Sequence, residues 1–140
     1  MVIYRASPAG VSSPGLLIAI VMIAACANTA GASWPFDYIF HRGEPLWWLQ
    51  VAALAALCWG LTRTGSVRLA AMLGLLFASV WLSTTFWWLY VSMHTYAGLH
   101  GGLAAIAVVG LAAALGAYYA AACAIFKKLS QGSGPAAALI

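Results

Sequence analysis

Residues 98–128 read GLHGGLAAIAVVGLAAALGAYYAAACAIFKK, an apolar run with no charged side chain until the Lys127–Lys128 pair closes it. A hydrocarbon core about 30 Å thick takes about 20 helical residues to cross, so this run is long enough to span a membrane. Three runs of similar character precede it, and the spacing predicts spans at 15–33, 46–62, 67–93 and 98–126. The second is short, with Trp47 and Trp48 at one end and Arg63 at the other. The third and fourth are long enough to tilt or to project beyond the hydrocarbon. The fold class expected is an all-α integral membrane protein, an antiparallel bundle of four transmembrane helices joined by short links.

The charges orient this bundle. Arg5 precedes the first run, Arg63 and Arg68 separate the second from the third, and Lys127 and Lys128 follow the fourth. Asp37, Arg42 and Glu44 lie between the first and second, and the link between the third and fourth is uncharged. Five of the six basic residues therefore fall on one side, a positive-inside pattern that puts both termini in the cytoplasm. Residues 1–14 are expected to be a cytoplasmic leader, with Pro14 suited to a helix start, and 127–140 a basic, flexible cytoplasmic tail. The expected location is the cell inner membrane.

Composition agrees. The chain has 140 residues, 65% hydrophobic and 6% charged, with mean hydropathy +0.97. Soluble domains carry about 25% charged residues, so a water-solvated surface is not available. The net charge of +4 resides at helix ends, where it meets anionic headgroups, and nucleic acid is not an expected partner. The partners expected are the lipid bilayer and other transmembrane helices, from copies of the chain or from subunits of a complex.

Cys26, Cys58 and Cys123 fall at different depths and form no Cys-x-x-Cys pair, so they read as small apolar core residues. The first run has a second reading. Arg5, the apolar stretch and Ile23-Ala24-Ala25-Cys26 resemble a bacterial lipoprotein signal, whose cleavage would leave a lipidated Cys26 and three spans. The apolar character that continues through Ala27, Ala30 and Ala32 favours an uncleaved helix.

Small residues recur at every fourth position: Ala52, Ala56 and Gly60; Ala70, Gly74 and Ala78; Ala112, Gly116 and Ala120; and Gly98 with Gly102. Such rows let helix backbones approach closely in lipid, where no hydrophobic effect drives association. Aromatic residues gather on the outer side: Trp34, Phe36, Tyr38, Phe40, Trp47 and Trp48, then Phe86, Trp87, Trp88, Tyr90 and Tyr96. An interfacial belt accounts for most of them. Their density also leaves open an aromatic-lined surface for a partner or a lipophilic ligand.

No Asp, Glu, Lys or Arg lies at mid-membrane depth, which argues against ion-coupled transport. The candidates for chemistry are His41, His94 and His100, all at the outer face with Asp37 and Glu44. Imidazole and carboxylate make a workable set for Zn²⁺ or Cu²⁺, and haem ligation is an alternative use. Tyr96-Ala97-Gly98-Leu99-His100-Gly101 resembles the segment that opens a helix in subunit III of haem–copper oxidases. The likeness covers six residues and lacks the second histidine, since Leu103 and Ala104 follow; it implies an accessory subunit of a respiratory complex.

No phosphate-binding glycine loop, nucleophile elbow or paired carboxylates occur. The function expected is that of a small non-catalytic membrane protein, an accessory subunit or homo-oligomer. A holin-like or channel-like pore and a metal- or haem-binding protein are the alternatives. No enzymatic role and no cofactor are required by the sequence.

Overall fold

The computed structural model describes residues 13–32 and 43–132, all in helices and the turns between them. Helix α1 spans Pro14–Ala32, α2 Trp47–Arg63, α3 Val67–Thr85 and α4 Trp87–Val91. A π-helical turn over Ser92–Tyr96 follows, and α5 runs Gly101–Gly132. The described residues are all-helical, and α1, α3 and residues Gly101–Gln131 of α5 are long and apolar enough to cross a membrane. Helix α2, at 17 residues, is shorter. The calls that fall on residues 1–12, 33–42 and 133–140, among them Arg5, Asp37, His41 and Arg42, lie outside the described residues.

Local chemistry sets the helix starts. The Ser13 hydroxyl accepts from Leu16 N at 3.4 Å, and Pro14, the first residue of the helix, supplies its fixed φ. Ser66 caps α3 in the same way, accepting from Leu69 N at 3.2 Å.

Helix α1 packs between α2 and α3, and α3 packs between α1 and α5. The buried face of α1 comprises Leu17, Val21, Ala24, Ala25, Asn28 and Gly31, one stripe at helical spacing. It meets Ala53, Leu57 and Leu61 of α2 and Ala70, Leu73 and Phe77 of α3 in a common core that Cys123 of α5 completes. Cys26 and Cys58, expected in the core, are exposed.

Two ties align one end of this layer. Leu46 N donates to Gly31 O at 2.8 Å, joining the end of α1 to the start of α2. Thr29 Oγ1 lies 2.7 Å from Thr84 Oγ1, joining α1 to the end of α3. Beyond Thr84 the chain continues through α4 and the π turn and returns as α5. This hairpin therefore extends past the ends of α1 and α2.

The expected third span, 67–93, is divided at Phe86, which leaves helical geometry with φ −85° and ψ 15°. The cause is the Thr84-Thr85 pair. Thr84 Oγ1 reaches the Val80 and Trp81 carbonyls, each at 2.8 Å, and Thr85 Oγ1 reaches Trp81 O at 2.8 Å. Hydroxyls competing for carbonyls one turn back weaken the helical ladder and bend it. The hairpin closes at Gly98, whose φ of +68° is costly for any residue with a Cβ.

Candidate functional site: an apolar groove beside an aromatic ladder

The α3–α5 pair is tightly closed along one half and open along the other. In the closed half, a methyl placed on Gly74 would sit 2.6 Å from Cys123 Sγ and 2.8 Å from Tyr119 O. One placed on Gly116 would sit 2.9 Å from Ser79 Oγ. The small-residue rows are thus distributed unevenly. Gly60, Ala70, Gly74, Ala78, Ala112 and Gly116 are buried, Ala56 and Ala120 partly so, and Ala52, Gly98 and Gly102 exposed.

In the open half lies a groove of about 390 Å³. Ser83 and Thr84 line it from the end of α3, Trp87 and Tyr90 from α4, and Ala105, Val108 and Val109 from α5. Its volume is within the range of about 300–1,000 Å³ usual for small-molecule sites, and its surface is almost wholly apolar. The division of the third run at Phe86 opens this space, because the helix no longer follows the seam with α5.

One wall continues as a ladder of rings. Trp87 stacks on Tyr90 with centroids 4.8 Å apart, and Tyr90 stacks on His94 at 5.6 Å. The spacing of these three is i, i+3 and i+7, a signal present in the sequence but absorbed there into the aromatic belt. The ladder abuts the start of α5, where a methyl on Gly101 would meet Tyr90 Oη at 3.2 Å and His94 Cε1 at 3.5 Å.

Both described histidines bond to backbone, in opposite senses. His94 Nδ1 lies 2.9 Å from Leu99 O, and since a carbonyl can only accept, Nδ1 carries the proton. His100 Nδ1 accepts from Gly102 N at 3.3 Å, so its ring proton resides on Nε2 when the ring is neutral. A neutral His94 thus presents a free Nε2 lone pair, and a neutral His100 does not. Among the described residues no group of three or more His, Cys, Asp and Glu could hold a metal ion. The geometry of His94 and His100 is that of residues securing the hairpin turn, and His41 lies outside the described residues.

The groove's chemistry is that of a seat for hydrocarbon: apolar floor, aromatic wall, hydroxyls at one edge. Comparison with known proteins gives it a context. The family described as "Apolipoprotein N-acyltransferase N-terminal domain" matches residues 42–140. The chain is 46% identical over 124 residues to the apolipoprotein N-acyltransferase of Verminephrobacter eiseniae, covering 85% of this chain and 22% of that protein. It is 36% identical over 97 residues to that of Ralstonia nicotianae, covering 67% of the chain and 18% of the relative. For Pseudomonas putida the figures are 37% over 107 residues, 76% and 19%. The chain spans about a fifth of the length of the curated relatives it matches. No solved structure matches it.

These relatives overturn the expectation of a non-catalytic accessory subunit or homo-oligomer and of a holin-like or channel-like pore. They equally correct the expectation that no enzyme is involved, and the six-residue likeness to an oxidase subunit carries nothing further. The reason for the error is one of extent: a stretch a fifth the length of an enzyme can lack a nucleophile and a base without bearing on whether the enzyme has them. By matched length and by identity, the chain belongs to the apolipoprotein N-acyltransferase N-terminal domain family.

Proposed function

We propose that this chain is membrane-embedded scaffold of an N-acyltransferase, and that the groove between α3, α4 and α5 seats the hydrocarbon of a fatty acyl group. The observation that carries this is the groove itself, apolar except for the hydroxyls of Ser83 and Thr84 at one edge. N-acyl transfer joins an acyl carbonyl carbon to an amine nitrogen, breaks the bond from that carbon to the donor's leaving group, and passes the amine proton to that group or to a base. The relatives' name makes the acceptor an apolipoprotein. The described residues are assigned the binding of the chain, with no part in bond making.

The topology proposed with it has four antiparallel spans in the inner membrane, α2 being the short one. The start of α1, the end of α5 and the Arg63–Arg68 link all face the cytoplasm in this topology. Other transmembrane helices pack where small residues stay exposed, as at Ala52. Reporter fusions at Gly65 and at the C-terminus should both read cytoplasmic, and an external C-terminus would sink this topology.

The groove is tested with a fatty acyl probe bearing a photoreactive diazirine, incorporated into vesicles with the protein. Crosslinks should map to peptides holding Trp87 and Val109. Ala105→Phe, which fills the groove from an exposed position, should cut them several-fold. Labelling that is uniform around the helices, or unchanged in this variant, would refute the assignment.

A further inference from the structure

Opposite the groove, at the other end of α5, lies a buried cation. Lys127 is 8% exposed, and its Nζ donates to Leu61 O at 3.3 Å, at the C-terminal turn of α2. Leu61 O also accepts from Thr64 Oγ1 at 2.8 Å, and Gln131 Nε2 donates to Gly65 O at 3.4 Å. The last turns of α5 are therefore fastened to the link between α2 and α3. The negative end of the α2 dipole compensates part of the ammonium charge. Part is not all. An ammonium has three N–H donors, and among the described residues Leu61 O is the acceptor one of them reaches.

The same link carries Arg63 and Arg68, and Lys128 adjoins Lys127. Arg63 lies with its guanidinium carbon 5.1 Å from the centre of the Trp59 ring, which directs it along α2. Four cations thus gather at one end of three helices. The chain holds two acids: Glu44, before the start of α2 and so at the far end of that helix, and Asp37, outside the described residues. A buried charge without a full complement of partners is costly, and the like charges of the half-buried Arg63 and the exposed Arg68 and Lys128 at the same end add repulsion. Among the described residues no acid stands at this end of the helices. Apolar helices on either side place the headgroup layer of a bilayer at this level, where the anion within reach is a lipid phosphate.

We propose that Lys127, with Arg63, Arg68 and Lys128 around it, forms a binding site for the phosphate of an anionic phospholipid headgroup. The lipid bridges α5 to the α2–α3 link by completing the hydrogen bonds that Lys127 leaves open. This site is separate from the groove and does not depend on the acyl-chain assignment.

The test is native mass spectrometry of the protein released from nanodiscs made of equal parts phosphatidylglycerol and phosphatidylcholine. One phosphatidylglycerol should be retained per chain, in preference to phosphatidylcholine. R68Q with K128Q, both exposed side chains, should reduce that preference about fivefold for each charge removed. Circular dichroism checks that the variant keeps its helices. Replacing chloride by inorganic phosphate in the buffer should leave the lipid bound. Equal retention of the two lipids, an undiminished preference in the double variant, or displacement by inorganic phosphate would each overturn the proposal.

Discussion

The two halves of the α3–α5 pair are built from the same antiparallel helices and differ in what stands at the facing positions. In one half Gly74 and Gly116 bring backbone to within van der Waals distance of Cys123, Tyr119 and Ser79. In the other, Thr84 and Trp87 face Val108 and Val109, and a groove opens. In lipid, apolar area does not itself draw helices together, so fit decides where they touch. Glycine closes the seam, and branched or aromatic residues with a broken helix hold it apart.

The sharpest way to break this contrast is to put bulk into the closed half. Gly74→Leu should destabilise the protein by about 3 kcal/mol, since both the Cys123 side chain and the Tyr119 backbone stand in the way. Thermal unfolding in detergent would measure it. An unchanged melting temperature would mean that the helices do not meet there.

Gly116→Ala should cost about 1–2 kcal/mol, because the nearest obstacle is the Ser79 hydroxyl, with Leu75 O at 3.3 Å behind it. Adding Ser79→Ala should recover part of that loss. A double-mutant cycle reads the coupling, and strict additivity would remove Ser79 from the contact.

Gly110 sharpens the comparison from the same helix. No atom outside its own helical surroundings lies within 4 Å of a methyl placed there. Gly110→Ala should therefore stabilise α5 by about 0.4–1 kcal/mol, opposite in sign to Gly116→Ala. Equal effects at the two positions would show that helix propensity, and not packing, governs both.

The smallest stability effect belongs to the open half. Thr84→Val removes hydroxyl bonds to Thr29, Val80 and Trp81 at nearly constant shape, and hydrogen bonds within membranes average about 0.6 kcal/mol. The loss should be of that order, accompanied by a narrower groove as the helix straightens. Acyl-probe crosslinking to the Val109 peptide reports the narrowing. A loss of several kcal/mol would make Thr84 a principal support of the fold.

Helices α1, α3 and α5 were legible because their length and apolarity are properties of the chain itself. Gly74 and Gly116 were legible as members of small-residue rows, but Gly98 belongs to a positive-φ turn and not to a packing face. Spacing alone cannot separate those two uses of glycine. The division at Phe86 was hidden, since Thr84 and Thr85 are inexpensive in a membrane helix singly and act here together. The burial of Lys127 was hidden for a related reason: a lysine at the end of an apolar run is ordinarily solvated, and only the position of the α2 carboxyl end makes it otherwise. The groove was visible merely as excess aromatic density. Membership of an enzyme family was illegible because this stretch covers about a fifth of its relatives.

The Lys127–Leu61 bond also sets α2 and α5 level at one face, and their unequal lengths then appear wholly at the other. From Leu61 back to Trp47 is about 21 Å of helix, and from Lys127 back to Gly101 about 39 Å, at 1.5 Å per residue. A hydrocarbon layer about 30 Å thick is too thick for the first helix and too thin for the second. In the proposed topology, where α2 is the short span, lipid beside α2 thins while lipid beside α5 thickens or the helix leans, and the molecule then holds a standing gradient of membrane thickness across its own width.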